Sequence, residues 1–220
     1  VTNESEIHHI TVTGCNRFGI LASKLWYSKW HDLVARNCKG WGIAFGYNYL
    51  NTFDINDVNG VCLRDLRAAQ CGERYNSANA PLGFSLANNP RGGCGIYLRL
   101  KNSSSCYNVL GEANYGPGIV IEPSNAARCN IHGIYLEGNM SAALADGETT
   151  KRYGMVLVSS TTDSGLTKIS GVYTHIGSTP NNNIYYYHTA SATTFHFDYI
   201  HGNVIFDSNT TGVVNISVTD

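Results

Sequence analysis

The sequence carries little charge. Asp, Glu, Lys and Arg make up only 14% of its 220 residues, well under the roughly one quarter typical of globular chains. Basic and acidic residues nearly cancel at a net charge of −1. There is thus no basic stripe to neutralise nucleic-acid phosphates or an anionic membrane surface. Long apolar runs are missing too, and stretches such as residues 155–158 are far too short to cross a bilayer as a helix. Methionine (two) and proline (five) are sparse. With few Ala and Glu beside 14 Tyr, a helical bundle is a poor fit. The evenly spread 43% of hydrophobic residues excludes a disordered tail. No Cys-x-x-Cys or compact Cys/His set is present, and His8-His9 has no third ligand nearby in sequence. The expectation is no metal and no cofactor.

What is abundant is turn-forming chemistry: 23 Gly and 23 Asn. The length suffices for a sizeable core in one or two domains. Val1 opens on a polar run, and the expectation is a piece of a longer polypeptide.

Seven cysteines supply the repeat. Cys15, Cys38, Cys62, Ser85, Cys106 and Cys129 follow one another at intervals of 21–24 residues. Cys71, Cys94 and Pro117 form a second series at intervals of 23. Flanking residues repeat with them. Cys15-Asn-Arg-Phe-Gly-Ile20, Cys38-Lys-Gly-Trp-Gly-Ile43 and Cys129-Asn-Ile-His-Gly-Ile134 share one spacing. Cys94-Gly-Ile96 and Pro117-Gly-Ile119 share the other. A period of about 23 is too short for the usual helical repeats. Within it lie short alternating segments, Ile10-Thr-Val12, Ile96-Tyr-Leu98, Ile119-Val-Ile121 and Ile134-Tyr-Leu136, bounded by Gly and Asn. These read as strands of about three to five residues joined by tight bends.

A chain one strand wide, coiling so that each turn pairs in parallel with the next, satisfies this pattern. The fold expected is all-β, a single-stranded parallel β-helix of about 23 residues per turn over residues 1–150. A β-rich continuation follows over 151–220, as further coils or a small terminal sheet. The cysteines are expected to be free thiols stacked along the coil, since side chains on successive turns point in parallel. Segments 73–93 and 139–153 interrupt the period, and the second contains a candidate short helix near 141–145.

At this point the residues resemble a family. Gly133-Ile-Tyr-Leu-Glu-Gly-Asn139, with rungs such as Arg36-Asn-Cys38, is similar to the pectate-lyase-like β-helix of bacteriophage tailspikes, over residues 7–139. The resemblance implies a right-handed coil in a homotrimer on the virion. It also implies recognition of bacterial capsule or lipopolysaccharide, with cleavage as hydrolase or lyase. Free thiols suit assembly in a reducing cytoplasm.

Glycoside hydrolysis needs two carboxyl groups across the scissile bond. Strands in adjacent turns lie about 4.8 Å apart, so carboxylates on neighbouring turns can meet that need. Glu112, Glu122 and Glu137 are the catalytic candidates, each of which also reads as an ordinary solvent-facing strand residue. Glu122 falls 23 residues after Arg99, so a salt bridge between turns is a structural alternative. Asp54 and Asp57 form a second acidic set, in a context that also suits turns. A lyase would instead use a His or Tyr base with a cation, for which Tyr97, Arg99, His132 and Tyr135 are candidates. Trp41 and Tyr47 are candidate sugar-stacking residues, and Trp41 reads as a corner residue. A receptor-binding fibre of the same fold without catalysis remains the alternative to an enzyme.

Overall fold

The computed structural model describes residues 2–47, 58–73, 78–79, 82–85, 89, 91–122, 128–140, 153–159, 166–175, 183–188, 194–201, 204–206 and 216–219. All of its described regular structure is β. The early strands are β1 (Thr2–Asn3), β2 (Glu6–Thr13), β3 (Phe18–Ala22), β4 (Leu25–Trp26), β5 (Lys29–Arg36) and β6 (Trp41–Phe45). Next come β7 (Val58–Asn59), β8 (Cys62–Ala69), β9 (Ile96–Leu98), β10 (Ser105–Glu112), β11 (Ile119–Ile121) and β12 (Arg128–Glu137). The last six are β13 (Tyr153–Ser159), β14 (Leu166–His175), β15 (Asn183–His188), β16 (Thr194–His201), β17 (Val204–Phe206) and β18 (Ile216–Thr219).

The described strands fall into three sheets. The first has the order β18-β16-β14-β12-β10-β8-β5-β2, the second β17-β15-β13-β11-β9-β6-β3, and the third, smaller one β1-β4-β7. Every pairing between these strands is parallel. Up to β8 the chain visits the three sheets in rotation, and from there its described strands alternate between the two large ones, a topology compatible with the expected β-helix. Strands beyond residue 150 join the same two large sheets. The candidate helix at 141–145 lies outside the described residues.

The register departs from a uniform period of 23. Along the first sheet the offsets are 23 (Glu6 to Lys29), 33 (Lys29 to Cys62), 43 (Cys62 to Ser105) and 25 (Ser105 to Asn130). They continue as 38 (Arg128 to Leu166), 28 (Leu166 to Thr194) and 21 (Phe195 to Ile216). Extra length enters between strands, where chain can leave the sheets without breaking a ladder. The cysteine series is accordingly regrouped. Backbone bonds from Lys39, Gly72, Tyr115 and Met140 to the carbonyls of Cys15, Cys38, Cys71 and Asn114 stack Cys15, Cys38, Cys71, Asn114 and Asn139 in one column. Cys62 and Cys106 sit one position apart, Cys62 pairing with Ser105 and Cys106 with Leu63. All seven cysteines are free thiols.

A second column explains the Gly-Ile strings. Phe18, Trp41, Cys94 and Pro117 share one position, followed by Gly19, Gly42, Gly95 and Gly118 and then Ile20, Ile43, Ile96 and Ile119. The two string families are thus one, whereas Gly133-Ile134 belongs to the first sheet. These glycines permit close approach. A Cβ on Gly19 would lie 2.8 Å from Cys38 Sγ, and one on Gly95 would lie 2.6 Å from both the Gly118 carbonyl oxygen and Asn114 Nδ2. Across this narrow waist the first sheet presents Ala35, Ala68 and Gly111.

The core between the sheets is apolar. Trp30, Leu33, Leu63, Leu66, Cys106, Val109, Ile131 and Ile134 of the first sheet pack with Ile43, Phe45, Ile96, Leu98, Ile119 and Ile121 of the second. Mid-strand, the first sheet bends at one position, occupied in turn by His9, Asp32, Asp65, Asn108, Gly133 and Gly171, all with φ between 54° and 71°. A left-handed residue there resets the alternation. Inward positions fall at Ile7, Ile10 and Val12, then Trp30, Leu33 and Ala35, then Leu63, Leu66 and Ala68. Glycine and the short polar side chains of Asp and Asn accept that conformation at least cost.

Candidate functional site

The register decides which acidic residues meet. Glu112 ends β10 and Glu137 ends β12, and the two are direct partners in adjacent parallel strands. Their residues are therefore about 4.8 Å apart across the ladder. Both lie on the outward side of the first sheet and are partly exposed. Arg67, from β8, donates from Nη2 to Glu112 Oε2 at 2.7 Å. The ion pair is open to solvent, with side chains 43% and 38% exposed, so its net contribution is small. Glu137 accepts a hydrogen bond from the Tyr135 hydroxyl at 2.8 Å. That bond to Glu137 raises the Tyr135 phenol above its ordinary pKa. Tyr135 stacks on Tyr173 with centroids 5.6 Å apart and planes 13° from parallel. Arg67, Glu112, Glu137, Tyr135 and Tyr173 thus form one outward patch.

Glu122 is elsewhere. It follows β11 of the second sheet and is 2% exposed. Arg91 grips it with two bonds, Nε to Oε2 at 2.6 Å and Nη2 to Oε1 at 2.8 Å. The Tyr97 hydroxyl donates to Oε2 at 2.5 Å. Burial pushes the Tyr97 phenol well above its ordinary pKa, and the adjoining Glu122 carboxylate adds to the shift. The sequence expectation of a surface Glu122, paired if at all with Arg99, is therefore corrected. Arg99 does follow Leu98, whose carbonyl accepts from the Glu122 amide, yet the ion pair is made by Arg91. A carboxylate taken out of water needs a cation and further donors to be tolerated, and here the bonding cation comes from a segment inserted between β8 and β9.

The aromatic candidates gather around this carboxylate. Trp41 is 1% exposed rather than at a corner, stacks on Phe18 at 4.6 Å, and donates from Nε1 to the Arg91 carbonyl at 3.0 Å. Tyr47 touches Trp41 and Tyr97 with centroids 4.4 and 5.2 Å away, and burial pushes its phenol up to about 12. The reason is that the second sheet is apolar on both faces. Its outward residues Trp41, Ala44, Tyr97, Val120, Val156 and Val158 form a second buried cluster, to which inserted chain adds Phe84 and Leu82.

His132 is exposed on the first sheet, in register with Tyr107, and its Nδ1 lies 2.8 Å from Ser170 Oγ. Tyr97 and Arg99 belong to the second sheet or its margin, and His132 and Tyr135 to the first, so the structure does not assemble these four as one site. Asp54 and Asp57 lie outside the described residues. Arg67, Arg91 and Tyr173 were missed by sequence reasoning, because only the register brings them beside the candidate carboxylates. Among the described residues, no group of three or more His, Cys, Asp or Glu is arranged to hold a metal ion.

Comparison with known proteins found no matching family model, no matching curated protein and no matching solved structure.

Proposed function

We propose that this chain is a parallel β-helix of the phage-tailspike type, trimeric on the virion, that binds a bacterial surface polysaccharide and cleaves it by glycosidic hydrolysis. The observation that carries the reading is the registered Glu112–Glu137 pair on an outward face. The ~4.8 Å ladder spacing of the two residues lies nearer the ~5–5.5 Å carboxyl separation of retaining glycosidases than the ~6.5–9.5 Å of inverting ones. In this reading Glu112, ion-paired by Arg67, is the nucleophile, and Glu137 is the acid/base, oriented by Tyr135. Glu122 is assigned a structural part, since it is buried and held by Arg91 and Tyr97. The lyase alternative is less well supported, its four residues being divided between two sheets.

The test is reducing-end release from capsular or lipopolysaccharide chains of a host bacterium. Glu112→Gln and Glu137→Gln should each lower the rate by about a hundredfold or more, while the circular dichroism stays unchanged. The first product should keep the anomeric configuration of the substrate. A second reading, a binding fibre without catalysis, is favoured by the bonds that both carboxylates already make within the protein. Wild-type protein that binds the polysaccharide and never shortens it would establish that second reading and sink the first.

A further inference from the structure

Three of the seven cysteines meet in one column. Cys15 lies in the bend between β2 and β3, Cys38 in the bend between β5 and β6, and Cys71 shortly after β8. The backbone bonds from Lys39 to Cys15 and from Gly72 to Cys38 make each cysteine the register partner of the next. Neighbouring Cα atoms are therefore about 4.8 Å apart, inside the ~4.4–6.8 Å that a disulfide spans. Each thiol also comes close to the preceding turn. Gly19, in the turn of Cys15, leaves room for the next cysteine, since a Cβ there would lie 2.8 Å from Cys38 Sγ. Gly42, in the turn of Cys38, does the same for Cys71, whose Sγ reaches the Ala35 carbonyl of that turn at 3.6 Å. The Cys38 thiol accordingly interacts with those of both Cys15 and Cys71. Exposure falls along the column: Cys15 is half-buried, while Cys38 and Cys71 are buried.

We infer that Cys15 and Cys38 are a redox-modifiable dithiol, which a low-molecular-weight disulfide such as oxidised glutathione converts into a cross-link between two successive turns. Cys15 is the point of entry, because it alone of the three meets solvent. Its sulfur bonds to one glutathione sulfur, the glutathione S–S bond breaks, and the released glutathione leaves with the Cys15 proton. Cys38 Sγ then attacks Cys15 Sγ, the mixed S–S bond breaks, and the second glutathione leaves with the Cys38 proton. Two cysteine thiols are oxidised by two electrons, and one disulfide is reduced to two glutathione thiols. Burial raises the Cys38 thiol above its ordinary pKa and pushes Cys71 up to about 12, so neither competes for the external oxidant. Cys38 acts because its target is held beside it, where proximity replaces intrinsic reactivity. Cys62 provides an internal control. It is half-buried like Cys15, but its register partners are Lys29 and Ser105, so a glutathione taken up there has no cysteine directly across to displace it. The inference stands independently of the hydrolase reading.

The experiment incubates the folded protein with oxidised glutathione and then unfolds it without reductant. N-ethylmaleimide blocks the remaining thiols, and mass spectrometry maps every cysteine. The wild type should yield a Cys15–Cys38 cross-linked peptide, with Cys71, Cys94, Cys106 and Cys129 alkylated and any glutathione on Cys62 retained. In Cys38→Ser the cross-link should be lost and the reaction should stop at glutathione on Cys15. In Cys15→Ser, Cys38 should remain a thiol. Cys38→Ala, smaller than the native side chain, serves if the serine variant does not fold. Cys15 left as a thiol in the wild type, glutathione that stays on it, or Cys38 oxidised equally well in Cys15→Ser would each overturn the inference.

Discussion

At the residue scale, two kinds of buried polar group are satisfied in opposite ways. Asn114 and Asn139 continue the cysteine column into a ladder of amides. Asn114 Oδ1 accepts from the Cys71 amide at 2.9 Å, and its Nδ2 donates to Ala68 and to Asn139 Oδ1. Asn139 Nδ2 in turn reaches the Gly111 carbonyl at 2.8 Å. Each amide meets partners supplied by the strand ladder itself, so burial costs little. Glu122 instead depends on a side chain from an insert. A third arrangement lies on the exposed face, where His31 stacks on His8 at 5.1 Å and its Nδ1 lies 2.7 Å from Asp32 Oδ2. Asp32 raises the His31 pKa above its ordinary 6.5, with Glu6 assisting against desolvation, and His31 holds Asp32 below its ordinary 3.8. The raised imidazole stabilises the fold below 6.5 and loses that effect as pH climbs through its folded pKa. The lowered carboxylate stabilises above 3.8 and loses its effect as pH falls through its folded pKa. His31→Gln should therefore lower the urea midpoint most between about 3.8 and 6.5 and least at alkaline pH. A difference that does not vary with pH would defeat this account.

At the scale of the element, the bend in the first sheet is the unit that repeats. It was legible in the sequence as an apolar residue, an outward one, then His, Asp, Asn or Gly, then apolar, outward and apolar or small. Ile7-His-His-Ile-Thr-Val12, Trp30-His-Asp-Leu-Val-Ala35, Leu63-Arg-Asp-Leu-Arg-Ala68 and Cys106-Tyr-Asn-Val-Leu-Gly111 carry it. Ile131-His-Gly-Ile-Tyr-Leu136 carries it as well. A strict alternation of two misses the pattern, because the left-handed residue inserts one extra step. Asn108 tests it. Asn108→Val and Asn108→Gly both remove the 2.6 Å bond from Nδ2 to Asp65. Only the β-branched residue resists φ of 57°, so Asn108→Val should be less stable than Asn108→Gly by roughly 1–2 kcal/mol in denaturant melts. Equal midpoints would show that this position is not held left-handed.

For the whole molecule, the parallel sheets account for the core and the inserts for part of what surrounds it. Large side chains remain exposed on several sides, among them Trp26 (40%), Tyr27 (64%), Tyr115 (48%) and Tyr173 (45%). In the tailspike reading a part of this surface is covered by two further copies of the chain. Light scattering should then give three times the 24.0 kDa chain mass, and a mass of one chain would remove the trimer from the proposal. By itself the sequence determined the class of structure. Short alternating segments, many Gly and Asn, and recurring Gly-Ile strings leave parallel rungs as the economical solution, because strand alternation and left-handed bends are local properties of a few residues. The tertiary structure alone decided which residues share a column. Inserts vary the spacing between turns from 21 to 43 residues, and hydrogen-bond register, not sequence distance, brings side chains together. For that reason equal intervals misgrouped Cys62 and Cys106, and a separation of 23 residues pointed Glu122 to Arg99 rather than to Arg91. Glu122 is buried and gripped by Arg91, whereas Glu137 stands beside Glu112 on the open face.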